Sequence, residues 1–168
     1  MLSDNMKIQL HKQLNREFYS SYLYLAMSAW CTHTGYKGAA SWFIIQHEEE
    51  RVHAFKIYNY LLGQGSKIEL HDVKNPPIEY TSLLECFQNS LVHEQKMSHS
   101  LNKLCDLSNQ EKDHATYGFL QWFVQEQVEE ESNVLDIVSK LKLIGDGNGI
   151  FLLDSQLLQR QAGIQEVK

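Results

Sequence analysis

Residues 47–53 read His-Glu-Glu-Glu-Arg-Val-His, five metal-grade donors within two helical turns, flanked by Trp42, Phe43, Ile44 and Phe55. Inside this stretch, Glu50-Arg51-Val52-His53 is a Glu-x-x-His motif. Its i,i+3 spacing sets a carboxylate and an imidazole on one helix face, where the carboxylate can bridge two metal ions while the imidazole holds one. His47-Glu48 also begins a zinc-protease His-Glu-x-x-His, but that motif requires histidine where Arg51 stands, so it is excluded.

Apolar periodicity shows where these donors point. The second helical segment carries an inward stripe at Phe43, Gln46, Glu50, His53 and Ile57, spaced 3,4,3,4 as in a bundle seam. The third has Leu84, Phe87, Leu91, Glu94, Ser98, Leu101 and Cys105, with Glu94 mid-stripe. In the fourth, Gln127 and Glu130 interrupt Leu120, Phe123, Val134, Ile137, Leu141 and Ile144. The first has Leu10, Leu14, Glu17, Ser21, Tyr24 and Ser28, which puts Glu17 in the same inward class. Each acid lies roughly halfway along its helix, so all four share one level. Any one of them alone reads as a surface residue on a slightly rotated helix. Four together, with no Lys or Arg at matching inward positions, repel and desolvate one another unless a multivalent cation joins them. Oxygen donors with one imidazole suit iron or manganese rather than structural zinc, and the charge suffices for two ions. Tyr24, two turns from Glu17 on one stripe, can donate a hydrogen bond or an electron to such a site, or simply pack.

These side chains need long helices to hold them. The two prolines are adjacent, Pro76-Pro77, and glycines gather at 35/38, 63/65 and 145/147/149, which cuts the 168 residues into long uninterrupted segments. Helices are expected from about Asp4, as N-cap, to His33; from Ala39 to Leu62; from Ser82 to Leu107; and from a capping box at Ser108-Asn109-Gln110-Glu111 to Gly145. A short fifth helix, about 150–161, carries Ile150, Leu153 and Leu157 on an apolar face. It is too short to stand alone in water and must dock. Short first and third connections make those helix pairs antiparallel, while residues 65–81 can span about 55 Å when extended and cross a whole helix. The expected fold is all-α: an up-down-down-up four-helix bundle (about 4–144) with a long crossover and a short fifth helix, one domain over 1–168.

Composition narrows the function classes. A net charge of −6 without a Lys/Arg block argues against nucleic acid or an anionic membrane as partner and favours cations. No apolar run approaches a membrane span, and the acid in MLSDNMK replaces the basic region of a signal peptide, so a cytoplasmic protein is expected. Cys31, Cys86 and Cys105 are odd in number and unclustered, hence free thiols. His11, His33, His71, His93, His99 and His114 fall off the stripes and are expected at the surface.

Taken together, Glu17, Tyr24, Glu50-x-x-His53, Glu94 and Gln127-x-x-Glu130 resemble the ferroxidase centre of the non-haem bacterial ferritins, over nearly the whole chain. Where generic di-iron bundles have a second Glu-x-x-His, this chain has Gln-Val-Glu-Glu, as ferritins do. Haem-binding bacterioferritins have methionine after the second-helix glutamate; Arg51 stands there, so no haem is expected. The resemblance implies that Glu17, Glu50 and His53 hold one iron and Glu50, Glu94 and Glu130 a second, with Gln127 nearby. It further implies a third, weaker iron site at Glu49, Glu126, Glu129 and Glu130. Without it, Glu126 and Glu129 read as charged helix surface. It implies oxidation of Fe(II) by O2 or H2O2 and a homo-oligomeric shell of 24 subunits storing ferric mineral, the fifth helices lining four-fold channels.

Three rivals are weaker. A di-iron oxygenase lacks its second Glu-x-x-His, and a DNA-protecting mini-ferritin would show a basic tail and an inter-subunit site. A purely structural bundle would not place acids at mid-level on four seams.

Overall fold

A computed structural model describes residues 2–145 and 147–161. Five helices follow in order: α1 (Asp4–Thr34), α2 (Lys37–Gly63), α3 (Leu83–Gln110), α4 (His114–Ile144) and α5 (Gly149–Leu157). The described residues contain no strand. The architecture is the expected up-down-down-up bundle: α1 packs mainly on α2, α3 on α4, and residues 66–80 cross between the pairs without helix. None of the described helices is long and apolar enough to cross a membrane.

Helix ends differ from the sequence expectation for local reasons. Ser3, not Asp4, caps α1, its hydroxyl accepting from Met6 N; Asp4 is already helical, with its acid in the first turn where the helix dipole favours it. The capping box at Ser108–Glu111 does not form. Ser108 Oγ donates to Cys105 O at 2.7 Å, and α3 continues to Gln110. The chain then turns at Lys112 (φ 56°), and Asp113 caps α4, accepting from Thr116 N at 3.0 Å and Thr116 Oγ1 at 2.5 Å. The aspartate prevailed because it satisfies two donors at once.

Helix α2 has no side-chain cap of its own. Asp154 of α5 supplies one from 115 residues away, accepting from Gly38 N at 3.0 Å and Ala39 N at 2.8 Å. Gly38 has to be glycine here, because a Cβ would lie 1.6 Å from the Asp154 carbonyl oxygen. α5 is shorter than expected, and it turns Leu153 and Leu157 into its own bundle, with Ile150 half-buried against the same cluster. Its outward apolar residues are instead Phe151 and Leu152, 74% and 72% exposed.

The core comes in two parts. One cluster gathers Tyr24, Met27, Phe43, Phe87, Val134 and Leu141, and the other gathers Leu10, Leu14, Ile57, Leu101, Leu120 and Phe123. On each of the four long helices, the interruption between the two clusters falls at the inward acids: Glu17, Glu50, Glu94 and Glu130. A buried polar layer thus divides the bundle across its middle. Cys31, Cys86 and Cys105 are buried free thiols.

Candidate metal centre

Glu17, Glu50, Glu94 and Glu130 are 2%, 3%, 0% and 6% exposed, and His53 and Gln127 are buried with them. The stripe spacing explains this: seams packed at 3,4 intervals turn every member inward, acid or not. Glu17, Glu50 and His53 each offer a ligand atom, and these atoms lie within 4.8 Å of one another. His53 Nδ1 is 3.5 Å from Glu50 Oε2, and its ring is wedged against Trp122 and Phe123. Glu94 and Glu130 stand across the bundle from that trio, on α3 and α4. Both act on Glu50 through like charge.

Neutral donors steady the acids. Gln13 Nε2 donates to Glu17 Oε1 at 2.7 Å, and Gln46 Nε2 donates to Glu130 Oε2 at 2.7 Å. Gln127 Nε2 donates to Glu94 Oε2 at 2.5 Å and to Glu94 O at 3.1 Å. The Tyr24 hydroxyl donates to Glu94 Oε1 and lies 3.2 Å from Ser90 Oγ. No Lys or Arg is buried among the described residues. Desolvation is the largest influence on each of the four carboxyls. It raises Glu17 and Glu50 well above the usual carboxylate range, Glu50 also being pushed by Glu94 and Glu130. Glu94 and Glu130 are pushed up to about 7, again chiefly by burial. Without a metal the layer holds protons near neutral pH, and a cation that displaces them gains a ready-made oxygen cage. Among the described residues, buried Gln46 Oε1 has no hydrogen-bond partner.

Glu49, Glu126 and Glu129 do not join the trio. Glu49 is half-buried and pairs with Arg160 Nη2 at 2.7 Å. Glu126 is half-buried too; its carboxyl is raised by desolvation and by the charges of Glu129 and Glu49, with His53 opposing. Glu129 is exposed. Glu48 pairs with exposed Arg51 at 2.6 Å and is a surface residue. Two histidines expected at the surface are not there. His11 is buried, its Nδ1 2.7 Å from Lys7 O. His93 is half-buried, its Nε2 2.7 Å from Ser20 Oγ, and it packs on Tyr19 and Tyr24. Burial, with Lys96 nearby, lowers its pKa to about 4, so it stays neutral. Both sit one position off the seam; α1 side chains cover His93, and His11 shares a cavity with the crossover residues Glu69, Leu70, His71 and Val73. His33, His71, His99 and His114 are exposed as expected.

Sequence reasoning missed Gln13, Arg160 and the bond that Gln46 makes to Glu130. Gln46 was legible, four residues before Glu50 on the same stripe. Gln13 precedes Glu17 by the same interval but lies off the stripe, and Arg160 is distant in sequence from Trp42 and Glu49, which its guanidinium meets.

Comparison with known proteins decides the family. A profile described as a ferritin-like domain matches residues 8–144. A bacterial non-heme ferritin of Staphylococcus aureus is 41% identical over 158 residues, covering 94% of this chain and 95% of that protein. The chain belongs to the non-haem ferritins. A probable bacterial non-heme ferritin-like protein of Haemophilus influenzae is also 41% identical, covering 94% of this chain and 96% of its own length. Among solved structures, an open pore ferritin from Archaeoglobus fulgidus superposes with a TM-score of 0.94 at 42% identity, covering 95% of this chain and 98% of that one. A closed form of the same archaeal ferritin, engineered by mutagenesis, gives 0.93 at 42%, covering 96% and 99%. The ferritin fold thus extends over α5 as well as the bundle.

Proposed function

We propose that this ferritin stores and detoxifies iron, oxidising Fe(II) at the mid-bundle layer before depositing it as ferric mineral. The observation that carries the reading is the trio of Glu17, Glu50 and His53 within 4.8 Å, set in a layer of buried acids without a balancing Lys or Arg.

Iron is the substrate. Glu17, Glu50 and His53 receive one Fe(II); Glu50, Glu94 and Glu130 receive the second, with Glu50 as bridge and Gln127 alongside. Arrival of the ions releases the protons that desolvation holds on these carboxyls near neutral pH. Each Fe(II) then gives one electron, and together they reduce O2 to H2O2, or H2O2 to water. The carboxylate oxygens favour this direction because hard donors stabilise the more highly charged Fe(III). Tyr24, hydrogen-bonded to Glu94, orients that carboxylate and stands where it can supply a further electron. Glu49, Glu126 and Glu129, with Glu130, form the third site and draw oxidised iron away from the centre.

A homo-oligomeric shell of 24 subunits completes the proposal. Exposed Ile44, Phe55, Ile78, Phe151 and Leu152 provide apolar surface for subunit contacts, the last two at the four-fold channels. Residues 1–168 act as one domain in the cytoplasm. Excess Fe(II) added to the apoprotein in air, followed by gel filtration, tests this reading. Ferric iron far above about three per subunit, co-eluting with a large particle, supports it. Retention of two or three identifies a di-iron enzyme without mineral, and retention of none ends the iron reading.

A further inference from the structure

The C-terminal segment places a cation on a residue of the third site. Asp154 anchors α5 on the start of α2, and Leu153 and Leu157 bury its inner face. Three residues past the end of α5, Arg160 folds back along α2. Its guanidinium lies 4.4 Å from the centre of the Trp42 ring, and Nη2 reaches Glu49 Oε2 at 2.7 Å. Trp42 and Glu49 are seven residues apart, two turns of one helix face, which is the span a single arginine can cover. The pair is mostly shielded from water, the two side chains being 18% and 14% exposed.

We propose that Arg160 is a built-in competitor for the third iron site: it occupies the Glu49 carboxylate, and a cation binding there must displace it. This rests on the reading of Glu49, Glu126 and Glu129 as that site. Two features favour a displaceable contact over a permanent one. Arg160 Nη1 is buried without a hydrogen-bond partner, so the guanidinium is held by only part of its donor fork. Beside it runs a groove of about 350 Å³, bordered by Trp42, Asn133, Gln156 and the Asp136–Lys140 ion pair (2.6 Å), which leaves space into which the released side chain can swing. The like charges of Glu49 and Glu129 beside Glu126 supply the opposing pull for a multivalent ion. Arg160 therefore weakens the third site relative to the central pair, so that iron fills the centre first and is handed on rather than trapped.

The test titrates Zn(II), a redox-inert stand-in for Fe(II), into the assembled apoprotein by calorimetry, and compares the third binding step per subunit. Arg160→Gln is expected to tighten that step about three- to tenfold, the equivalent of one partly shielded ion pair, while leaving the first two steps unchanged. Arg160→Lys retains most of the competition. Glu49→Gln removes the third step, and the double variant matches Glu49→Gln alone. Tryptophan emission gives a second readout: the third Zn(II) lifts the guanidinium from Trp42 and changes its fluorescence in the wild type but not in Arg160→Gln. Unchanged or weaker third-step affinity in Arg160→Gln, with Glu49→Gln still abolishing the step, overturns the competitor role alone. A third step that survives Glu49→Gln overturns the site itself and the competitor with it.

Discussion

Replacing Glu94 by glutamine is expected to make the metal-free protein more stable at pH 8 and less so, relative to wild type, at pH 5. Glu94 is fully buried, and burial pushes its carboxyl up to about 7, against an ordinary value of 4.5. The sign follows from linkage. A group whose pKa is raised on folding contributes stability fully below the unfolded value and loses it as pH rises through the folded one. Wild type therefore loses stability between about pH 4.5 and pH 7, and above 7 it carries an ionised, desolvated carboxylate. With about 1.4 kcal/mol for each tenfold change in proton affinity, the wild type gains roughly 2–3 kcal/mol between pH 8 and pH 5 that Glu94→Gln cannot gain. For a chain of this size that corresponds to about 5–10 °C in the difference between the two melting temperatures across that pH range. The amide keeps one acceptor for the Tyr24 hydroxyl but turns an NH2 toward Gln127 Nε2, which offsets part of the gain at pH 8. That offset is the same at both pH values, so the comparison across pH isolates the charge. The assay is thermal unfolding by circular dichroism of EDTA-treated protein at pH 5 and pH 8. An equal melting difference at the two pH values would refute the claim that this layer holds protons in place of metal.

Four further outcomes follow from the same geometry. Glu50→Ala, which removes the proposed bridge, should lower the initial rate of aerobic Fe(II) oxidation by at least about a hundredfold while gel filtration shows an unchanged particle. Zn(II) added to the apoprotein should raise its melting temperature at pH 8 and release protons measurable in weakly buffered solution, and Glu17→Ala should diminish both effects. Tyr24→Phe removes a donor from Glu94 and should cost about 1–2 kcal/mol at pH 8 but less at pH 5, where the carboxyl is protonated, as urea unfolding at the two pH values would show. Gly38→Ala pushes a Cβ into the Asp154 carbonyl and should undock α5, exposing Leu153 and Leu157 and costing about 3 kcal/mol or more; limited proteolysis after residue 145 measures the release.

The order of the helices, the four inward acids and the Glu-x-x-His pair were legible in the chain, because periodicity is a one-dimensional record of a helix face. Seams spaced at 3 and 4 residues leave little freedom in what turns inward, so Glu17, Glu50, Glu94 and Glu130 could be assigned to one level without coordinates. Contacts between residues distant along the chain left no such record. The cap on α2 comes from Asp154, Arg160 pairs with Glu49, and Asp113 outcompetes the capping-box motif at Ser108, each settled by which group arrives within hydrogen-bond reach after packing. His11 and His93 were misplaced for a related reason: a residue one step off a seam is exposed on a lone helix and covered once a second neighbour packs beside it. The sequence by itself determined which acids and amides turn inward and the level they share, since helix geometry converts spacing into direction. Only the tertiary structure decided which acids converge within ligand distance and which one is held by a cation, since those depend on helix rotation and on a C-terminal segment that folds back on α2.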